Sequence, residues 1–274
     1  MDAPIEAFIL KAINDSNLLK ESPTDTILDG HIVEAHLFAK SSGVITGVQM
    51  IKMIYEHMDK RIYFKAIQYD GALVEENDMI AIISGPLNRI IKGEKMCLNL
   101  MKRLSCLSTT ISNYLELLTP SNIKLYVAFN SFSNINPLEK YAVQMAGGNL
   151  LNDEDTVYIH QNFLDTIARL TDTSNEAINS LNSMKTPFTV EVNSVDAFRL
   201  AQLLKPAHIK LMSMDYEFID TCSKLNNTFI PLVVSVPMQY EAIKTLSTLP
   251  INALIIEQVP IDMQAFDLAI IYQN

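Results

Sequence analysis

Residues 187–215, PFTVEVNSVDAFRLAQLLKPAHIKLMSMD, decide the fold. An apolar, β-favouring run at 187–192 passes through Asn193-Ser194 into a helical pattern at 194–204, and a second such run starts at His208. Strand, helix and strand joined by connections this short place the two strands side by side and parallel. The alternation extends in both directions. Strands fit 123–129 (IKLYVAF), 156–160 (TVYIH), 187–192 (PFTVEV), 208–213 (HIKLMS), 229–235 (FIPLVVS) and 253–257 (ALIIE). Helices fit 137–146, 162–182, 194–204, 215–225 and 238–246. Six or seven such units predict an α/β protein with a compact parallel barrel rather than an eight-fold one.

The first hundred residues follow another pattern. Ile5, Phe8, Ile9, Ala12 and Ile13 share one face of a helix within 5–19. Residues 32–39 (IVEAHLFA) alternate as a strand with one buried face and end at the Gly43–Gly47 turn. Met50, Ile51, Ile54, Tyr55 and Met58 form a second helical face, and 61–69 is a strand stopped by Asp70-Gly71. Short strands follow around Val74 and at 79–83, separated by the Asn77-Asp78 turn. The longest helical signal covers 94–118, with Cys97, Met101, Leu104, Ser108, Ile111, Leu115 and Leu118 spaced by fours and threes. Its small residues Ser105, Ser108 and Thr109 predict one closely packed face. The domain division expected is 1–105 for an N-terminal α/β sandwich of α+β type and 106–263 for the barrel. A last strand, 266–272 within the segment 264–274, returns to the first domain.

Composition narrows the function classes. The chain has 274 residues, 49% hydrophobic and 19% charged, enough apolar material for a substantial core. No apolar run approaches a membrane span, and the start MDAPIEAFIL lacks the pattern of a signal peptide, so a cytoplasmic protein without a membrane partner is expected. Cys97, Cys106 and Cys222 are too few and too scattered for a disulfide framework or a zinc site, and read as buried apolar fillers. Residues 1–103 carry 12 basic and 14 acidic side chains, whereas 104–274 carry 9 and 17. That acidic second half, with no basic stripe, argues against nucleic acid. All eight glycines lie at or before Gly148, so glycine-rich phosphate cradles are excluded from the last 126 residues.

In a barrel of this kind chemistry sits at the carboxyl ends of the strands. Those positions are Phe129-Asn130-Ser131, His160-Gln161-Asn162, Glu191-Val192-Asn193, Met212-Ser213-Met214-Asp215, Ser235-Val236-Pro237 and Glu257-Gln258. They hold amides, hydroxyls and acids but no Lys and no Arg, which leaves His160 as the one candidate cation.

The segment Gly93-Glu94-Lys95-Met96-Cys97-Leu98-Asn99, continuing to Arg103-Leu104-Ser105, resembles the G-E-R-x-x-L-N-x-x-x-R-L-S signature of the quinolinate phosphoribosyltransferase family. That family is also called carboxylating nicotinate-nucleotide pyrophosphorylase. Further pieces fall in the family's order. Pro23-Thr24-Asp25-Thr26 is similar to its G-D-x-T, and Ser42-Gly43-Val44-Ile45-Thr46-Gly47 to its D-G-V-x-A-G. Leu138 to Val143 with Gly147-Gly148 resembles E-K-Y-A-V…G-G-G, Val190-Glu191-Val192 resembles V-E-V, and Phe266 to Ile270 resembles the closing segment. The resemblance implies an α/β sandwich followed by a small barrel, and a homodimer in which one subunit's first domain covers its partner's barrel mouth. It also implies joining of quinolinate to phosphoribosyl pyrophosphate with magnesium, a step of NAD biosynthesis that releases pyrophosphate and carbon dioxide.

The departures from the family pattern bear most on function. The family's T-R-K-T, whose Arg and Lys meet anionic ligands, falls on Ala128-Phe129-Asn130-Ser131, and its N-H-R on Leu150-Leu151-Asn152. The Lys of I-K-D-N-H falls on His160, with Asn162 retained and Phe163 in place of the following His. The Asp of L-D-N falls near Ser213, the S-G-G phosphate turn on Ser235-Val236-Pro237, and the later S-V-G on Glu257-Gln258-Val259. A charge-assisted hydrogen bond contributes about 1.5–3 kcal/mol, so losing four or five cations removes most of the binding of a polyanion. Pro237 has no N–H to offer a phosphate.

On this pattern Glu191 and His160 are the catalytic candidates, and Lys95, Asn130, Asn162, Ser213, Ser235 and Gln258 the substrate-binding candidates, with no protein metal ligands and magnesium only if the family reaction is retained. Three readings stay open. The first is a catalytically inactive scaffold or regulatory subunit, as a homodimer or paired with an active family member. The second is an enzyme, a related glycosyltransferase, acting on a small, less anionic polar ligand held by Glu191, His160 and Gln258. The third is an active nicotinate-nucleotide pyrophosphorylase. A barrel mouth plugged by Phe129, Leu151 and Phe163 favours the first. Asp153-Glu154-Asp155 reads as a solvated turn, Met50, Met53 and Met58 as core, and His31 and His36 as strand residues rather than a zinc pair.

Overall fold

The structure is a computed structural model that describes residues 3–16, 18–20, 23–28, 30–128, 136–151, 157–169, 179–181, 183, 186–257, 259 and 266–273. The chain divides into two compact units, Met1–Asn113 with Ser131–Gly148 and Ile261–Asn274, and Tyr114–Asn130 with Asn149–Pro260.

The first unit is built on a four-stranded antiparallel sheet. Strands β1 (Ile32–Ala39), β3 (Tyr63–Ala66), β5 (Met79–Pro86) and β13 (Leu268–Gln273) lie in the order β13-β1-β5-β3. The last strand therefore returns to pair with the first, Leu37 opposite Ile270. A small ribbon pairs β2 (Gly43–Val44) with β4 (Leu73–Val74). Helix α1 (Ala3–Asp15) buries Ile5, Ile9 and Ile13, one residue per turn; α2 (Pro23–Ile27) is a single turn. Helix α3 (Val48–Met58) buries Met50, Ile51, Ile54, Tyr55 and Met58, the expected face.

Helix α4 (Leu87–Leu118) starts seven residues before its expected beginning and takes Gly93 into its interior. A Cβ at Gly93 would lie 2.7 Å from the Tyr55 ring, so this glycine serves a close approach. The small-residue face packs as its composition predicts. Ser105 Oγ accepts from the Thr46 N–H at 2.9 Å, Thr109 Oγ1 accepts from the Val44 N–H at 2.9 Å, and Ser108 Oγ donates to the Ala142 carbonyl at 2.8 Å. Ala142 lies on α5 (Asn136–Met145), which the βα alternation assigns to the barrel but which clusters with the first unit. Arg103 and the buried Glu139 also join α4 to α5, at 2.5 Å.

The second unit is a seven-stranded, wholly parallel sheet that curves as part of a barrel. Its strands are β6 (Lys124–Val127), β7 (Asn149–Leu150), β8 (Val157–Ile159), β9 (Phe188–Val192), β10 (His208–Leu211), β11 (Leu232–Val236) and β12 (Ala253–Ile256). They lie in the order β7-β6-β12-β11-β10-β9-β8. Every residue of β9 and β12 is buried, as parallel strands covered on both faces require. Helices α6 (Gln161–Arg169), α7 (Val195–Leu203), α8 (Tyr216–Leu225) and α9 (Tyr240–Leu246) follow strands β8 to β11. Ser194 and Asp215 cap α7 and α8 by accepting from the N–H groups of Ala197 and Glu217 at 3.3 and 3.1 Å. Without glycine, left-handed backbone falls to Lys205 at φ 49° and Phe229 at φ 55°; β11 consequently begins at Leu232, later than the expected 229. The short β7 was not expected from sequence.

All three cysteines are buried and none forms a disulfide; burial pushes the Cys222 thiol up to about 12. Among the described residues no helix is long and apolar enough to cross a membrane.

Candidate functional site

Parallel pairing places residues of adjacent strands in lateral rows, and one row ends in the candidate site. Glu191 on β9 stands opposite Lys210 on β10, and Lys210 opposite Val233 on β11. These side chains share the inner face of the sheet, where Val233, Ala253 and Ile255 form an apolar floor against Tyr126, Ala128 and Leu151. Lys210 rises from this floor and its stem reaches across β11. Its Nζ lies 3.1 Å from Glu191 Oε1, bonds Glu257 Oε1 just beyond β12, and sits 5.4 Å from the centroid of the Tyr158 ring. The other carboxylate oxygen of Glu191 bonds His160 Nδ1.

Lys210 corrects the sequence reading. The carboxyl ends of the strands do contain a cation besides His160, because a lysine one residue inside the end of β10 carries its ammonium up to the carboxylates. Its side chain is 7% exposed, against 11% for Glu191, 40% for Glu257 and 69% for His160. Burial acts to lower the Lys210 pKa, but the hydrogen bond and charge of Glu257, then those of Glu191, outweigh it and hold the ammonium above its ordinary range. A lysine kept protonated in this way is neither a nucleophile nor a base near neutral pH.

Glu191 and His160 therefore come together as expected. Gln161 steadies the same corner, since its Oε1 accepts from the Asn193 N–H at 3.0 Å. Ser235 stands on the inner face of β11 opposite Ile255 and is half-buried. Ser213 is taken up by the turn into α8, where its Oγ accepts from the Asp215 N–H at 3.1 Å. Asn162 is exposed in the first turn of α6. Lys95 lies exposed on α4 in the first unit. Asn130 and Gln258 lie outside the described residues, as do Phe129 and Asp153-Glu154-Asp155. Of the expected plugs, Leu151 packs on the apolar floor, but Phe163 is 47% exposed and does not fill the barrel. Tyr158 and Lys210 were missed as site residues, whereas Glu257 was placed at a strand end but given no role; the one signal for Lys210 was a lysine set between Ile209 and Leu211 in the short strand HIKL.

Among the described residues no group of three or more His, Cys, Asp and Glu is placed to hold a metal ion. The donors at this edge do not fit magnesium, because the Lys210 ammonium already stands between the two carboxylates that such an ion needs.

Residues 21–105 match the family model described as quinolinate phosphoribosyl transferase, N-terminal domain. The protein named "Probable nicotinate-nucleotide pyrophosphorylase [carboxylating]" of Bacillus subtilis is 30% identical over 141 residues, 52% of this chain and 47% of that protein. The protein of the same name from Synechocystis is 24% identical over 208 residues, 74% of this chain and 69% of that protein. The match thus spans about half the length of the first of these relatives. Among solved structures, NadC from Streptococcus pyogenes superposes with a TM-score of 0.82 at 22% identity, over 98% of this chain and 97% of that one. The nicotinate-nucleotide pyrophosphorylase from Ehrlichia chaffeensis gives 0.86 at 16% identity, with both chains covered completely. At these identities the likeness establishes the fold, an α/β protein with a mixed N-terminal domain and a parallel partial barrel.

Proposed function

We propose, from the premise that this chain belongs to the quinolinate phosphoribosyltransferase family, that it does not catalyse phosphoribosyl transfer to quinolinate and acts in the cytoplasm as a scaffold or regulatory subunit. It works as a homodimer or paired with an active relative. The observation that carries this reading is the engagement of Lys210. The buried cation at the strand ends is consumed by the chain's own Glu191 and Glu257, so it has no charge left to offer a dicarboxylate or a pyrophosphate. Among the described residues of the strand-to-helix connections no Lys or Arg replaces it.

The test is formation of nicotinate mononucleotide from quinolinate and phosphoribosyl pyrophosphate with magnesium, alongside an active relative. Four missing charge-assisted bonds at about 1.5 kcal/mol each predict a rate at least about 10⁴-fold below the relative. Turnover at a comparable rate refutes the reading.

The His160–Glu191 pair favours a second reading, an enzyme on a less anionic substrate. A carboxylate bonded to one imidazole nitrogen orients the ring and leaves the other nitrogen to move a proton.

A further inference from the structure

We infer that Glu191 is a positioning residue rather than a catalytic one: oriented by Lys210, it fixes the proton of the neutral His160 imidazole on Nδ1 and leaves Nε2 as the proton acceptor. This deepens the second reading, a His160 that moves a proton, and rests on it.

The strand register builds the line of groups. Ile159 on β8 pairs with Val190 on β9, so His160 follows beside Glu191, and Glu191 stands opposite Lys210 on β10. Gln161 holds the same two strand ends together through the Asn193 N–H. Both carboxylate oxygens of Glu191 are engaged, Oε1 by Lys210 Nζ at 3.1 Å and Oε2 by His160 Nδ1. Lys210 is held protonated above the ordinary lysine range, and an ammonium only donates. A carboxylate only accepts, so the hydrogen in its bond to the imidazole belongs to Nδ1. Glu191 is buried and acts through the ring, whereas the His160 side chain is 69% exposed and open to exchange with solution.

Lys210 makes the assignment testable. In Glu191→Gln the ammonium still requires an acceptor and takes the amide oxygen, which turns the amide NH2 toward His160 Nδ1. That group only donates, so Nδ1 must accept and the ring proton moves to Nε2. A Glu191 that merely filled space between the strands would produce no such inversion.

Nitrogen NMR of the full chain with isotope-labelled histidine reads the tautomer, at about pH 9, where an ordinary imidazole is neutral. His160→Gln identifies the His160 signals. The natural protein is expected to carry the proton on Nδ1 and Glu191→Gln on Nε2, seen as an exchange of the two nitrogen shifts. Glu257→Gln, which leaves Lys210 and Glu191 in place, is expected to match the natural protein. A natural protein protonated on Nε2 overturns the inference, as does Glu191→Gln that keeps the proton on Nδ1 or Glu257→Gln that moves it. The spectrum of the natural protein decides even where Glu191→Gln does not fold. Because the spectrum needs no substrate, the wrong tautomer overturns this inference alone, whereas the expected tautomers without any activity dependent on His160 support it and count only against the enzymatic reading.

Discussion

Lys210 brings a charge into a barrel otherwise floored by Val233, Ala253 and Ile255. Its folded pKa lies above its ordinary value, so it stabilises the fold fully below that value, and the contribution is lost as pH rises through the folded pKa. Thermal unfolding followed between about pH 10 and pH 12 is expected to show the melting temperature of the natural protein falling more steeply than that of Lys210→Met. Equal slopes refute this account of the lysine. The residue was visible in HIKL, yet its role was not, because period-2 alternation tells which face Lys210 shares but not that Glu257, two strands away, lies within reach. Glu191 and His160 were legible because each ends a strand, and strand ends of adjacent parallel strands are neighbours by topology.

Single elements show where local signals suffice and where a distant partner decides. Helix α3 was legible from five spaced apolar residues, but its cap was not. Asp70, 22 residues after the helix starts, accepts from the N–H groups of Gly47 and Val48 at 2.7 Å each, and also accepts from the Tyr141 hydroxyl at 2.8 Å. Asp70→Ala removes an N-terminal cap together with that link to α5, and is expected to cost about 1–2 kcal/mol in denaturant unfolding. A change below about 0.3 kcal/mol would show that solvent satisfies those groups equally well. The beginning of α4 is the opposite case. Gly93 reads as a boundary because glycine weakens helices, and it is kept inside the helix because the Tyr55 ring leaves no room for a Cβ.

At the scale of the whole molecule, the chain leaves the first sheet, builds the parallel one and comes back as β13 beside β1. The first unit also exposes Ile32, Tyr63 and Leu73, at 67%, 65% and 74%. The proposed homodimer predicts a light-scattering mass twice the 30.8 kDa of the chain. A monomer at micromolar concentration counts against it. Hydrophobic periodicity and connection length determined most of the order of elements and the parallel sense of the second sheet, since each is a local property of the chain. The lack of glycine after Gly148 likewise excluded phosphate-cradling turns from the sequence alone. Only the tertiary structure decided that α5 joins the first unit, that Gly93 is buried against Tyr55, and that Lys210 is spent on Glu191 and Glu257. Those outcomes depend on distances between residues far apart in sequence, and charge compensation in a barrel is set by such distances rather than by composition.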